Sequence, residues 1–172
     1  MFGKKKAYEA VRNGISDVYP RLWKYCLVLS GNRANADDLA QAACLRALEK
    51  SDRFEPGTHL DRWLFRLTQR LWIDETRKQV VRTGGGLVPV EDANLVDETS
   101  DPEQSVMLNE VIGSVMQLPE AQRATVMLVY VEGYSYRDAA MILDIPVGTV
   151  MSRLAVARSK LATTFDGRLE AI

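Results

Sequence analysis

The run RTGGGLVPVEDANLVDETSDPEQ, which begins at Arg82, breaks the chain in two. Gly84, Gly85 and Gly86 lose the most backbone freedom on ordering, and Pro89 and Pro102 cannot continue a helix. One continuous core cannot extend through such a stretch, so each flank must bury its own apolar face. Residues 1–80 and 103–172 are therefore expected to form separate lobes, with residues 81–102 as a flexible acidic linker. The glycines do not form a phosphate loop, because no strand signal precedes them and neither the GxxxxGK[ST] nor the GxGxxG spacing is present.

Both flanks repeat apolar residues every three or four positions, the period of an amphipathic helix. Val11, Ile15, Val18, Leu22, Tyr25, Cys26 and Leu29 carry this rhythm between Lys4 and Ser30, with Pro20 expected to kink or divide the helix and Gly31 to stop it. A second helix is expected from Ala36 to Lys50, capped by Asn35. It places Asp37 and Asp38 in the first turn, where the helix dipole favours acids, and turns Leu39, Ala43, Leu45 and Leu48 inward. After the loop SDRFEPGTHL, a third helix is expected from Asp61 to Val80, with Trp63, Leu64, Leu67, Leu71 and Trp72 on its apolar side. Beyond the linker, helices are expected at Pro102 to Met116, at Ala121 to Val131 with Pro119 at the N1 position, and at Tyr136 to Leu143. With no strand signal, the fold class is all-α: a small helical bundle and a second helical domain, joined by a linker.

The formal net charge of −1 conceals segregation. Residues 1–80 carry 15 Lys and Arg against 10 Asp and Glu, whereas residues 81–102 carry one against five. Basic faces on a near-neutral chain point to spatially confined contacts with nucleic acid. No apolar run is long enough to span a bilayer, and the basic start is not followed by an apolar h-region. No membrane insertion and a cytoplasmic location are the expectation. Cys26 and Cys44 lie in apolar helical surroundings, and His59 is the one histidine, so buried structural thiols are expected in place of a metal site. No nucleophile or metal constellation marks an enzyme, and no cofactor is implied.

The segment Tyr136 to Ala157 has helix-turn-helix form. Ala139 and Ala140 permit close helix approach, and Leu143, Ile145, Val150 and Leu154 close a shared core. Asp144 stands where the chain must reverse, and Asp tolerates the left-handed conformation better than most residues. In IPVGTVMSRLAVARSKL every charge is positive, as a helix lying among phosphates requires. Gly148 and Thr149 keep its leading end slim, and of Arg153 and Arg158 one can read a base edge while the other holds a phosphate.

Three ordered blocks together resemble the group IV (extracytoplasmic-function, ECF) sigma factors of bacterial RNA polymerase: NADDLAQAACLRALEK, FEPGTHLDRWLFRLTQRLWIDETRK, and the stretch from LPEAQR through GYSYRDAA to GTVMSRLAVARSKL. The resemblance covers roughly Tyr19 to Leu161. It implies that residues 1–80 are sigma region 2, binding core polymerase and the −10 element, and that residues 103–172 are region 4, binding the −35 element. Asp37, Asp38, Leu39, Gln41, Leu45 and Arg46 are then the surface for the polymerase clamp helices. Phe54, His59, Arg62, Trp63, Arg66, Gln69 and Arg70 would open and read the −10 element, and Gly148, Thr149, Ser152, Arg153 and Arg158 the −35 element. The implied partners are the beta and beta-prime subunits of core RNA polymerase, promoter DNA and an anti-sigma factor.

The sequence departs from the family pattern at several positions. Ala42 and Ala43 follow Gln41 where an acid is usual, Met151 and Val156 replace cations, and Asp144 stands where glycine is usual. Two rival readings use the same residues: a sigma mimic that sequesters an anti-sigma factor, and a helix-turn-helix repressor or activator, which would need dimer symmetry.

Overall fold

The computed structural model describes residues 2–84 and 112–169. The first lobe holds α1 (Phe2–Ser30), α2 (Arg33–Glu49), a single 3-10 turn (Ser51–Arg53) and α3 (Leu60–Thr83). The second holds helical residues 112–116, α4 (Glu120–Val126) with a π-helical turn (Met127–Val131), α5 (Tyr136–Leu143) and α6 (Val147–Leu169). Among the described residues there is no strand.

In the first lobe α1 packs on both α2 and α3, burying Val11, Leu22, Tyr25, Leu64 and Phe65 completely. Gly14 allows this approach, since a Cβ there would collide with the Leu60 side chain at the start of α3. In the second lobe α4 and α5 both pack on α6 around Leu128, Ile142, Val150 and Leu154. The lobes are not held apart: α5 lies on α3 and α4 lies on α1. Arg123 crosses this boundary, and its buried guanidinium donates to the carbonyls of Met116 at 3.0 Å and Leu29 at 3.3 Å. The Leu29 carbonyl is among the last of α1, where unsatisfied acceptors make a cation favourable.

Several expected element boundaries are corrected. Pro20 does not divide α1, which runs from Phe2 to Ser30. Pro20 lies on the exposed side with Ser16, so the carbonyl it leaves unpaired faces water. The cap of α2 is Asn32, not Asn35, and its side chain accepts from the Asn35 amide at 2.8 Å. Asp37 and Asp38 therefore fall beyond the first turn, and the Asp37 carboxylate accepts from the Trp23 indole at 2.6 Å. Leu45 is not inward-facing but 63% exposed. The third helix persists through Thr83 and is closed by Gly84 in the left-handed conformation, so the linker begins later than residue 81. Pro119 is the N-cap of α4 instead of its first helical residue, and α4 turns into a π-helix where an unbroken α-helix to Val131 was expected. The rest of the linker and most of the helix expected at Pro102 to Met116 lie outside the described residues.

Both cysteines are free thiols. Burial, with Cys44 nearby, pushes the Cys26 thiol up to about 12, while the half-buried Cys44 is raised by burial. Since the thiolate is the nucleophile, iodoacetamide is expected to label Cys44 first and Cys26 only on unfolding. Peptide mapping by mass spectrometry checks this, and equal labelling rates in the native protein would contradict it.

Candidate functional site

The exposed face of α2 presents Asp37, Asp38, Gln41, Leu45 and Arg46, while Leu39 faces inward. Leu45, 63% exposed among these charges, takes no part in the core. On one flank of this face a cleft of about 520 Å³ runs between α2 and α3, lined by Asp38, Leu39, Ala42, Trp72, Glu75 and Arg82, among others.

A second cleft, of about 390 Å³, opens on another side of the same pair of helices. Arg46, Lys50, Arg53, Arg66 and Arg70 line it with Trp63, against the single carboxylate of Asp74. Five cations beside an aromatic ring and two leucines can follow a phosphate backbone and receive an unstacked base. Arg46, assigned from sequence to the polymerase surface, thus also faces the basic cleft. Trp63, Arg66 and Arg70 come together there, whereas His59, exposed at the N-cap position of α3, and Arg62, whose guanidinium bonds Asp138, do not line it.

Two further expected strand-reading residues are turned inward. Phe54 is 5% exposed, its ring centroid 5.3 Å from that of Trp63, so it anchors the loop from beneath and offers no open face. Gln69 is buried and accepts from the Tyr25 hydroxyl at 2.6 Å, which satisfies two polar groups inside the bundle. Both sit on the inner side of their elements, a distinction that composition and motif order do not encode.

The helix-turn-helix forms as expected. Ser135 caps α5 by accepting from the Asp138 amide at 3.0 Å, and Asp144 takes the left-handed conformation with φ 57°. The two helices are bent by 103° across the turn, within the range of DNA-binding examples. Gly148 and Ser152 are exposed near the leading end of α6, and a Cβ on Gly148 would meet open space. Thr149 and Arg153 are half-buried beside them. Arg158 lies further along and donates to the Tyr130 hydroxyl at 2.8 Å, so its direction is set by the second lobe's own framework. The helix continues past Leu161 to Leu169 and takes in Asp166, so freedom from acid belongs to its first turns alone.

Sequence reading did not anticipate a polar seam between the lobes. Arg21 donates to Glu132 at 2.6 Å, although the two are 111 residues apart, and also reaches Asp61 at 3.4 Å and the Tyr134 hydroxyl at 3.2 Å. The Tyr134 hydroxyl donates to Asp61 at 2.6 Å. Burial disfavours the Asp61 carboxylate, but the hydrogen bonds from the Tyr134 hydroxyl and the Arg62 backbone amide, with the Arg21 charge, outweigh it and hold its pKa below the ordinary value. Burial and the bond to Asp61 push the Tyr134 phenol well up. Outward from this cluster, Arg62 pairs with Asp138 at 2.8 Å, and Arg66 and Arg70 approach Asp144 at 3.8 and 3.6 Å. No spacing rule links residues so distant in sequence; the one available signal was a set of acids in a segment otherwise suited to DNA.

Comparison with known proteins bears on the family and the fold. The Sigma-70 region 2 model matches residues 15–81, and the model for Sigma-70, region 4 matches residues 108–161. The ECF RNA polymerase sigma factor EcfG of Rhodopseudomonas palustris (strain TIE-1) is 38% identical over 159 residues, covering 90% of this chain and 84% of the relative. SigW of Bacillus subtilis (strain 168), also an ECF sigma factor, is 30% identical over 178 residues, covering 91% and 94%. Among solved structures, the sigma factor RpoE in complex with the anti-sigma factor NepR from Bartonella quintana superposes with a TM-score of 0.76 at 27% identity, over 90% of this chain and 96% of that one. CnrH, in complex with the cytosolic domain of CnrY, shares the fold with a TM-score of 0.65 at 19% identity. With both regions matched in order and relatives aligned over nearly their whole length, the chain belongs to the ECF sigma factors of the sigma-70 family.

Proposed function

We propose that this protein is an alternative sigma factor that binds core RNA polymerase and directs promoter-specific initiation, acting as a specificity subunit in the cytoplasm and not as an enzyme. The observation that carries the reading is one chain presenting both an exposed α2 face around Leu45 beside a five-cation cleft and a helix-turn-helix. In this reading residues 1–80 dock the polymerase through Asp37, Asp38, Gln41, Leu45 and Arg46, with Leu39 beneath them. Arg62, Trp63, Arg66, Arg70 and His59 engage the −10 element, and residues 81–102 connect to the second lobe. Residues 103–172 engage the −35 element through Gly148, Thr149, Ser152 and Arg153, with Arg158 at the backbone. Control by an anti-sigma factor is supported by the similarity to RpoE, which was solved with NepR.

The test is reconstituted transcription. Purified protein added to sigma-free core polymerase with a library of promoter fragments is expected to give transcripts whose start sites share two upstream elements. Folded protein that neither binds core nor starts transcripts would overturn the reading and favour the sigma mimic.

A further inference from the structure

Between Val147 and Ala157 every exposed residue of α6 is uncharged: Val147, Gly148, Met151, Ser152, Ala155 and Val156. With successive residues turned by about 100°, Met151, Ser152, Ala155 and Val156 share the side opposite Val150 and Leu154, which fill the core. Arg153 follows beyond Val156 on one flank of this side, and Arg158 beyond Met151 on the other. Met151 is 54% exposed and Val156 45%, so neither belongs to the core. A helix laid in a major groove meets phosphates with its flanks and base edges with its outward side. Here the flanks are cationic, which suits phosphate, and the outward side is apolar. We propose that Met151 and Val156 determine −35 specificity by packing on the 5-methyl groups of thymine. The proposal rests on the functional reading above, because it names what that helix recognises.

The donors on α6 narrow the choice of base. Guanine presents two acceptors in the major groove, N7 and O6, and is read by a donor, most often an arginine. The outward side holds no such donor. Gly148, Met151, Ala155 and Val156 have none in their side chains, and the Ser152 hydroxyl donates to the Thr149 carbonyl of its own helix at 3.0 Å. Arg158 donates to the Tyr130 hydroxyl at 2.8 Å, which draws it toward the π-helical turn after α4. Among the four bases thymine alone carries a methyl group in the major groove. Packing on that methyl needs no hydrogen bond, since its worth comes from removing apolar surface from water. The two side chains suit the task differently. Val156 is stiff at χ1 and loses little freedom on contact, whereas Met151 is flexible and polarizable and can follow the groove floor.

The test removes the methyl and nothing else. Promoters obtained from the reconstituted transcription assay are resynthesised with deoxyuridine in place of one thymine at a time, on either strand. Their affinity for core polymerase carrying the full chain is measured by competition. The parent is expected to lose about fourfold at one or more −35 thymines, the worth of one methyl group, and nothing at thymines between the two elements. M151A/V156A is expected to bind the thymine promoter more weakly and to be indifferent to deoxyuridine at those same positions, so that the two losses do not add. Both side chains are exposed and alanine favours a helix, so the variant is expected to keep its helical circular dichroism. No deoxyuridine effect in the −35 element, or the parent's full effect retained in M151A/V156A, would overturn the proposal. Transcription with no deoxyuridine effect ends the methyl reading and leaves the sigma reading standing. If the chain neither binds core nor starts transcripts, the sigma reading fails, and the same comparison is made on duplexes that the chain alone retains from a randomised pool. A deoxyuridine effect abolished in M151A/V156A then upholds the methyl reading, and retention of no duplex overturns it.

Discussion

Replacing Arg21 with alanine is expected to open the two lobes. Glu132 is 5% exposed at its side chain and depends on Arg21 for its short ion pair, while Asp61 and Tyr134 share the same guanidinium. Removing one partner of a buried pair costs about 3–5 kcal/mol, but Arg21 is itself 42% exposed, which lowers the expectation to about 2–3 kcal/mol. The seam can avoid that cost by separating and letting Glu132 meet water, so the loss is capped by the free energy of closure. The expected result is thus a larger radius of gyration in small-angle scattering, with helical content unchanged. R21K is expected to rescue poorly, since one ammonium cannot span Glu132, Asp61 and Tyr134 as the fork does. The pH dependence has a definite sign. Asp61 is held below its ordinary value of 3.8, so its contribution is present above that pH and is lost as the pH falls through the depressed value. The difference between parent and R21A is expected to be full at neutral pH and to shrink below 3.8. A compact R21A at neutral pH would show that the remaining contacts, Arg62 to Asp138 and Arg123 to the Leu29 carbonyl among them, hold the lobes without Arg21.

Phe65→Ala is expected to have the largest effect on stability. Phe65 is fully buried, its ring centroid 4.9 Å from that of Tyr25 and 5.9 Å from that of Tyr134, with the Arg21 guanidinium 5.8 Å above its ring. Truncation leaves a cavity where α1 and α3 meet and removes the edge-on partner of Tyr134. Core phenylalanines cost about 3–5 kcal/mol on truncation to alanine, and in a lobe of this size that corresponds to a fall in Tm on the order of 15 °C or more. Thermal melts followed by circular dichroism measure it. Phe65→Leu, which keeps most of the volume, is expected to recover more than half of the loss. A Tm within a few degrees of the parent in F65A would mean that the site collapses to fill the space.

The helices and the helix-turn-helix were readable because they rest on local physics. The three-and-four spacing of Val11 to Leu29, the cap at Ser135 and the left-handed turn at Asp144 each involve residues a few positions apart. Boundaries were less readable: Asn32 and Asn35 are both good caps, and the choice between them depends on how α1 ends. Phe54 and Gln69 were assigned by motif to strand reading, but whether a side chain faces in or out depends on the neighbouring helix, which α1 decides through Tyr25. The seam was least readable of all. Arg21, Asp61 and Glu132 look like ordinary solvated charges in sequence, and only the docking of the two lobes makes them a cluster.

The π-helical turn from Met127 to Val131 gives chain length a role that composition does not have. A π turn holds one more residue than an α turn, and each residue added to or removed from a helix rotates the next part of the chain by about 100°. Glu132 and Tyr134 come directly after this turn, and both point back to the first lobe. A chain lacking one residue between 127 and 131 could keep every charged side chain of the seam and every base-facing residue of α6. It would still carry Glu132 round the helix axis and away from Arg21. An insertion or deletion in this short segment can therefore uncouple the two lobes, as R21A does, without removing any charge of the seam.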